Sequence, residues 1–229
     1  MNARRRRLVA SLIMLLISAG ILLTHPDNYQ VVQSPQPVVP TTKSPGSALS
    51  ALSQLDIKGR AAKTGYARAQ FGDGWREERG CDTRNIILAR DMTGEVVKDC
   101  KVYSGQLNDP YTGKIVQFRR GADTSDDVQI DHVVALSNAW QTGAAYWTMA
   151  RRIDFANDPL ELLAVDGAAN QAKSDGDAAT WLPVNKAFRC QYVARQITIK
   201  QHYGLWVTAA EHDAMQRVLG TCPDQQVIR

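Results

Sequence analysis

An aspartate and a histidine stand side by side at Asp131 and His132, and an asparagine follows at Asn170. These residue types suit hydrolysis of a phosphodiester. Histidine is the side chain whose ordinary pKa allows it to deprotonate water near neutral pH, which makes His132 the candidate catalytic base. A hard divalent cation would stabilise charge on the phosphate and the leaving oxygen, and it favours oxygen ligands such as the Asp131 carboxylate and the Asn170 side-chain carbonyl. Neighbours on a regular strand point to opposite faces. Asp131 and His132 can therefore share one site only if the strand ends or bends there, or if they flank the bound phosphate.

The elements that must position these groups are legible in the hydropathy pattern. Val128 to Val134 is short, β-branched and apolar around the polar pair, as suits a strand. Leu160 to Val165 is a second apolar run of strand length. Asp166-Gly167 punctuates it, and Ala168 to Lys173 is rich in helix formers. The order is strand, excursion, strand, short helix, spanning about 128–175, with one helix predicted over Ser137 to Arg152 in the excursion. Upstream, a helix is predicted over Asp82 to Met92. Short strands follow around Val96, Val97, Val102, Tyr103, Ile115, Val116 and Phe118, separated by turn-forming Asn108-Asp109-Pro110 and Thr112-Gly113. Downstream, Asn185 is placed to cap a helix from Lys186 to about Lys200. Thr208 to Glu211 has the form of a capping box opening a last helix through Val218.

Four stretches carry a family resemblance: IDHVVALSNAW at 130–140, FANDPLELLAVDGAANQAKSDGDAATWLP at 155–183, GCDTRNIILARDM at 80–92 and DPYTGK at 109–114. Together they resemble the HNH, or ββα-metal, nuclease superfamily, and more closely its secreted bacterial branch related to the C-terminal domain of GmrSD restriction enzymes. The likeness covers roughly Leu55 to Cys222. It implies an α+β fold: a single domain with a ββα-metal core embedded in additional helices and short strands. It also implies that His132 is the general base, that Asp131 and Asn170 bind the metal, and that the products carry 5′-phosphate and 3′-hydroxyl ends. Mg²⁺ is the first expectation for the ion, with Mn²⁺ or another transition ion as alternatives. Two departures stand out. The final histidine of the family name is Asn170 here, and Glu161 occupies the position where such sequences commonly have an asparagine that braces the loop.

The flanks divide the chain into an export segment at 1–23, a Pro/Ser/Thr-rich linker at 24–50 and the nuclease-like domain at 51–229. Arg4 to Arg7 precede an apolar run from Leu8 to Leu23, which reads as a signal peptide or an uncleaved signal anchor. The expected location is outside the cytoplasm, secreted or anchored on the outer face of a bacterial cytoplasmic membrane; an uncleaved segment would contact the membrane. The linker is too poor in aliphatic periodicity to fold. None of the four cysteines, Cys81, Cys100, Cys190 and Cys222, has zinc-knuckle spacing, so export favours two disulfides. Three pairings are possible; chain order favours Cys81 with Cys100 and Cys190 with Cys222.

Of 27 basic and 23 acidic side chains, five and one lie in the first 50 residues, leaving 22 of each in the domain. A neutral domain offers nucleic acid no long-range steering, so a local basic surface must hold it. Arg151, Lys173, Lys186 and Arg189 are the candidate contacts. Arg195 and Lys200 extend the acid-free run of Lys186 and Arg189, and Arg119-Arg120 and Arg151-Arg152 are other candidate basic patches. Tyr66, Phe71 and Trp75 read as core anchors. Nucleic acid, DNA first, is the expected partner, and no protein partner is implied. Two other functions fit the same residues: a surface-tethered nucleic-acid-binding module without cleavage, and a phosphodiesterase acting on small nucleotides.

Overall fold

A computed structural model describes residues 46–228, and the expected signal segment and most of the linker lie outside the described residues. In chain order the elements are α1 (Ala48–Leu52), a hairpin of β1 (Glu77–Glu78) and β2 (Cys81–Asp82), α2 (Thr83–Asp91), and a meander of β3 (Met92–Lys98), β4 (Lys101–Asn108) and β5 (Ile115–Arg119). Then come β6 (Val128–His132), α3 (Leu136–Gln141), α4 (Met149–Ala156), β7 (Leu162–Asp166), α5 (Gly167–Lys173), α6 (Arg189–Tyr203) and α7 (Ala209–Leu219). The fold is α+β. It starts inside the stretch read as linker: the Ser47 hydroxyl accepts from Ser50 N, and Ala48 N donates to Gln225 O at 2.8 Å.

β6 and β7 pair antiparallel, with Asp131 opposite Leu163 and His132 opposite Leu162. The run Leu162 to Val165 is buried throughout because the two-stranded sheet is covered on both faces. Val128, Ile130, Leu162 and Ala164 pack on α2 and the meander, through Ile87, Leu88 and Phe118. Val133, Leu163 and Val165 pack on Tyr111 and on Tyr192, Val193 and Ile197 of α6. Among the described residues this sheet has two strands, so the outer edge of β6 has no strand neighbour there.

The helix expected over Ser137 to Arg152 is broken in two. Gly143, at φ +139°, sits against Leu205 and Trp206, an angle and a space that suit only glycine. Thr148 then caps α4 by accepting from Arg151 N. The turn from β7 into α5 is fixed by two residues. The Asp166 carboxylate accepts from Ala169 N at 2.8 Å. A Cβ on Gly167 would lie 2.0 Å from Asp126 O, so this backbone passes directly against the turn that precedes β6.

The capping box at Thr208 and Glu211 is formed. Asn185 makes no cap; its Nδ2 donates to Pro110 O instead, tying the segment before α6 to the 109–114 turn. Disulfides join Cys81 to Cys100 and Cys190 to Cys222. The first links the start of α2 to the β3–β4 turn, and the second links the start of α6 to the residues after α7.

Candidate active site

A cavity of about 390 Å³ is lined by four consecutive residues of β6, Gln129, Ile130, Asp131 and His132. Successive side chains of a strand alternate in direction, and only an edge exposed to the cavity lets all four reach it. His132 is also the last residue of β6, so the geometric demand of the Asp-His pair is met by a strand that ends at an open edge. Asn170 reaches the same cavity from α5.

The Asp131 carboxylate is buried, and both of its oxygens are engaged. The Tyr111 hydroxyl donates to Oδ2, and Lys173 Nζ donates to Oδ1 at 2.9 Å. Lys173 Nζ also donates to His132 O at 2.8 Å, and its side chain has no solvent exposure. Burial pushes the Asp131 carboxyl above its ordinary value, opposed by Lys173 and by both hydrogen bonds. From sequence, Lys173 either reaches a phosphate or lies in water, one turn along the helix face from Asn170. The fold instead turns it inward, one helical turn after Asn170, because α5 lies on β6 and the buried carboxylate needs a counter-ion. Tyr111 had no role in the sequence reading. It belongs to the 109–114 turn, where the Asp109 carboxylate accepts from Asp166 N and from both Thr112 N and its hydroxyl. That turn is thereby tied to the end of β7, and the Tyr111 hydroxyl is carried to Asp131.

His132 is held on two sides. Its ring stacks on Trp75 with centroids 5.7 Å apart and planes 9° from parallel, and its Nε2 lies 3.0 Å from Ala156 O. Ala156 ends α4, where carbonyls have no partner within the helix. A carbonyl can only accept, so Nε2 carries the proton and Nδ1 keeps a lone pair with no hydrogen bond among the described residues. Burial, with a smaller contribution from Arg68, lowers the imidazole pKa to about 3, which keeps the ring neutral at physiological pH. Trp75, read as a core anchor, does pack half-buried against the α2 and meander core, and it also supports this ring and lines the cavity.

Asn170 Nδ2 donates to Gln129 Oε1 at 2.9 Å, which fixes the amide and leaves its Oδ1 without a protein partner among the described residues. Asn170 and Asp131 make no hydrogen bond to each other; Gln129 partners Asn170, and Tyr111 and Lys173 partner Asp131. A carboxylate offers about four lone-pair sites, so Asp131 keeps acceptor capacity beyond Tyr111 and Lys173. Two oxygen donors on one cavity, with the remaining positions left to water and substrate, fit a hard divalent cation.

Glu161 makes the contact expected of a brace. Its Oε1 accepts from Val134 N at 3.0 Å and its backbone oxygen from Val133 N, so it grips the chain directly after His132. It is fully buried, its Oε2 has no partner, and burial raises its carboxyl well above the ordinary range. A neutral carboxyl presents the same acceptor that an asparagine amide would.

The basic residues chosen from sequence lie elsewhere. Arg151 donates to Tyr203 O and packs over the Trp147 ring. Lys186 and Arg189 line a different cavity, beside Leu182 and Val218. Arg152 and Arg120 are committed to backbone carbonyls, Arg195 to Leu160 O, and Lys200 is buried against Glu211. The arginines on the cavity with the Asp-His pair are Arg68 and Arg84. Arg84 donates to Ser125 O and Val128 O at 3.0 Å, and Arg68 has no partner among the described residues.

Residues 83–218 match the family described as GmrSD restriction endonucleases, C-terminal domain. An uncharacterized secreted protein of the fungus Arthroderma benhamiae is 38% identical over 192 residues, covering 82% of this chain and 91% of the relative. That relative is fungal, whereas the motifs resembled a bacterial branch. No solved structure matches the chain. The matched region contains β6, β7, α5 and every residue of the Asp131, His132 and Asn170 constellation, and the chain belongs to the family of the GmrSD restriction endonuclease C-terminal domain, a nuclease-related family.

Proposed function

We propose that the protein is an exported, metal-dependent endonuclease of the HNH type that hydrolyses phosphodiester bonds in DNA. The observation that carries this reading is the setting of His132: a neutral ring, fixed by Trp75 and Ala156 O, on a cavity that Asp131 and Asn170 also line. A neutral imidazole held in place on the substrate cavity has the position and the lone pair to accept a proton from water. His132 Nδ1 takes a proton from water as the water oxygen bonds to phosphorus. The bond from phosphorus to the 3′ oxygen breaks, and that oxygen is protonated from solvent, leaving 5′-phosphate and 3′-hydroxyl ends.

Asp131 and Asn170 would hold the divalent cation, Mg²⁺ first and Mn²⁺ next, which when bound supplies positive charge to the phosphate and the departing oxygen. Lys173 and Tyr111 keep the Asp131 carboxylate oriented, and Gln129 orients the Asn170 amide. Export is supported by the basic and apolar N-terminal segment, by the two disulfides and by the relative's description as secreted. The test is plasmid nicking with Mg²⁺ and with EDTA. Wild type nicks only with the metal, and His132→Ala loses at least about a hundredfold in rate, the lower end of general-base contributions. Nicking by His132→Ala at the wild-type rate removes the histidine from its role. DNA affinity with no cleavage by wild type under any divalent ion identifies a binding module instead.

A further inference from the structure

Part of the cavity wall comes from outside the family-matched region. Tyr66, Arg68 and Trp75 all precede residue 83, yet all three line the cavity with Asp131 and His132. A smaller adjoining cavity, of about 60 Å³, shares Arg68, Trp75, His132 and Leu136 with it. The segment that carries these residues is anchored. Phe71 is buried against Trp140 and Phe155, and Tyr66 packs edge-on against Phe71 and Trp140. Arg68 opens the 3-10 turn that ends on Phe71, so its backbone is held while its side chain is exposed.

The charges on the cavity are unevenly matched. Asp131 is neutralised by Lys173, and Asp175 by Lys63 at 3.0 Å. Arg84 is committed to backbone carbonyls. Arg68 makes no hydrogen bond or ion pair among the described residues, although it lines both cavities together with His132. A guanidinium presents paired N–H donors in a plane that matches two phosphate oxygens, and an unengaged one on a cavity wall is a ready anion site.

We propose that Arg68 binds non-bridging oxygens of a substrate phosphate beside His132, so that the segment preceding the family domain completes the active site. The proposal deepens the nuclease reading and rests on it for the identity of the anion as a nucleic-acid phosphate. It makes Arg68 a substrate-contacting residue, while the basic run around Lys186 and Arg189 lies outside the cleft.

The test measures binding of a short fluorescein-labelled DNA duplex to the full chain in EDTA across a range of salt, alongside Mg²⁺-dependent cleavage. The proteins compared are wild type, Arg68→Gln, Arg68→Lys and, as a control on another surface, Arg119→Gln. Arg68→Gln is expected to bind about tenfold more weakly, in line with loss of one charge-assisted contact, and to reduce the slope of log affinity against log salt by about one. Arg68→Lys is expected to keep the salt slope and lose part of the affinity, and Arg119→Gln to match wild type. Unfolding midpoints equal to wild type confirm that Arg68→Gln is folded. Equal affinity, salt slope and kcat/KM for Arg68→Gln and wild type overturn the proposal even if wild type cleaves DNA. Loss of affinity in Arg68→Gln with no cleavage by wild type leaves the anion site standing and removes the nuclease reading alone.

Discussion

Replacing Lys173 with methionine separates the exposed lysine that the sequence suggests from the buried one in the fold. Methionine has nearly the same length, so the change removes charge and donors with little change in volume. Asp131 is left buried with Tyr111 as its remaining side-chain partner, and His132 O loses its contact with Nζ. Removing one member of a buried ion pair costs about 3–5 kcal/mol. Set against a total stability of about 5–15 kcal/mol for a domain, that is a large fraction. At about 2–4 °C per kcal/mol for a domain of this size, the midpoint should fall by about 6–20 °C.

The loss also depends on pH. Without Lys173 nothing comparable opposes the burial that raises the Asp131 carboxyl, so the folded state holds that proton more tightly than the unfolded state does. Stability of the variant therefore falls as pH rises above the ordinary carboxylate value of 3.8, and its deficit is larger at about pH 8 than at about pH 5. Thermal and urea unfolding followed by tryptophan fluorescence measure both effects, and adding Asp131→Asn should restore part of the loss by removing the unpaired charge. A deficit below about 1 kcal/mol at neutral pH, unchanged by Asp131→Asn, would mean that Lys173 behaves as a surface cation and that the buried pair is wrong.

Three other outcomes follow from the same geometry. Because the His132 pKa is held near 3, activity should show no loss around pH 6.5 attributable to this residue. The folded state binds its proton less tightly than the unfolded state, so the stability it confers is full above about 6.5 and is lost at about 1.4 kcal/mol per pH unit as pH falls toward 3; His132→Gln should flatten that limb in acid unfolding curves. Glu161 has the opposite sign: its raised carboxyl makes stability decline as pH rises above the ordinary 4.5, and Glu161→Gln, which keeps the acceptor for Val134 N, should remove that decline while leaving the fold intact by circular dichroism. Gly167→Ala places a Cβ against Asp126 O and should lower stability by about 1–3 kcal/mol, read as a reduced unfolding midpoint, whereas an unchanged midpoint would show that the β7–α5 turn can shift.

Local chemistry made much of the core readable in advance. The apolar run at Leu162 to Val165, the cap at Asp166 and the helix formers up to Lys173 each act within a few residues, so strand, turn and helix were visible without knowing what covers them. Asp131, His132 and Asn170 stood out through the strand and helix contexts and the family-like words around them, since an Asp-His pair with a distant Asn is by itself a weak signal. The helix over Ser137 to Arg152 was misjudged because the break at Gly143 answers to Leu205 and Trp206, which are far away in sequence.

Charge was the least transparent property. A run of Lys186, Arg189, Arg195 and Lys200 with no intervening acid looks like a basic face, yet Lys200 is buried on Glu211 and Arg195 is bound to Leu160 O. Lys173 and Tyr111 join Asp131 from segments 42 and 20 residues away, and Arg68 and Trp75 reach His132 from before the family region. The sequence by itself determined which side chains could do chemistry and the short elements that bear them, since those depend on residue type and near neighbours. Tertiary packing alone decided which cations are consumed inside, which one stays open to an anion, and which histidine nitrogen is free, because each depends on partners that only the folded chain brings within hydrogen-bond distance.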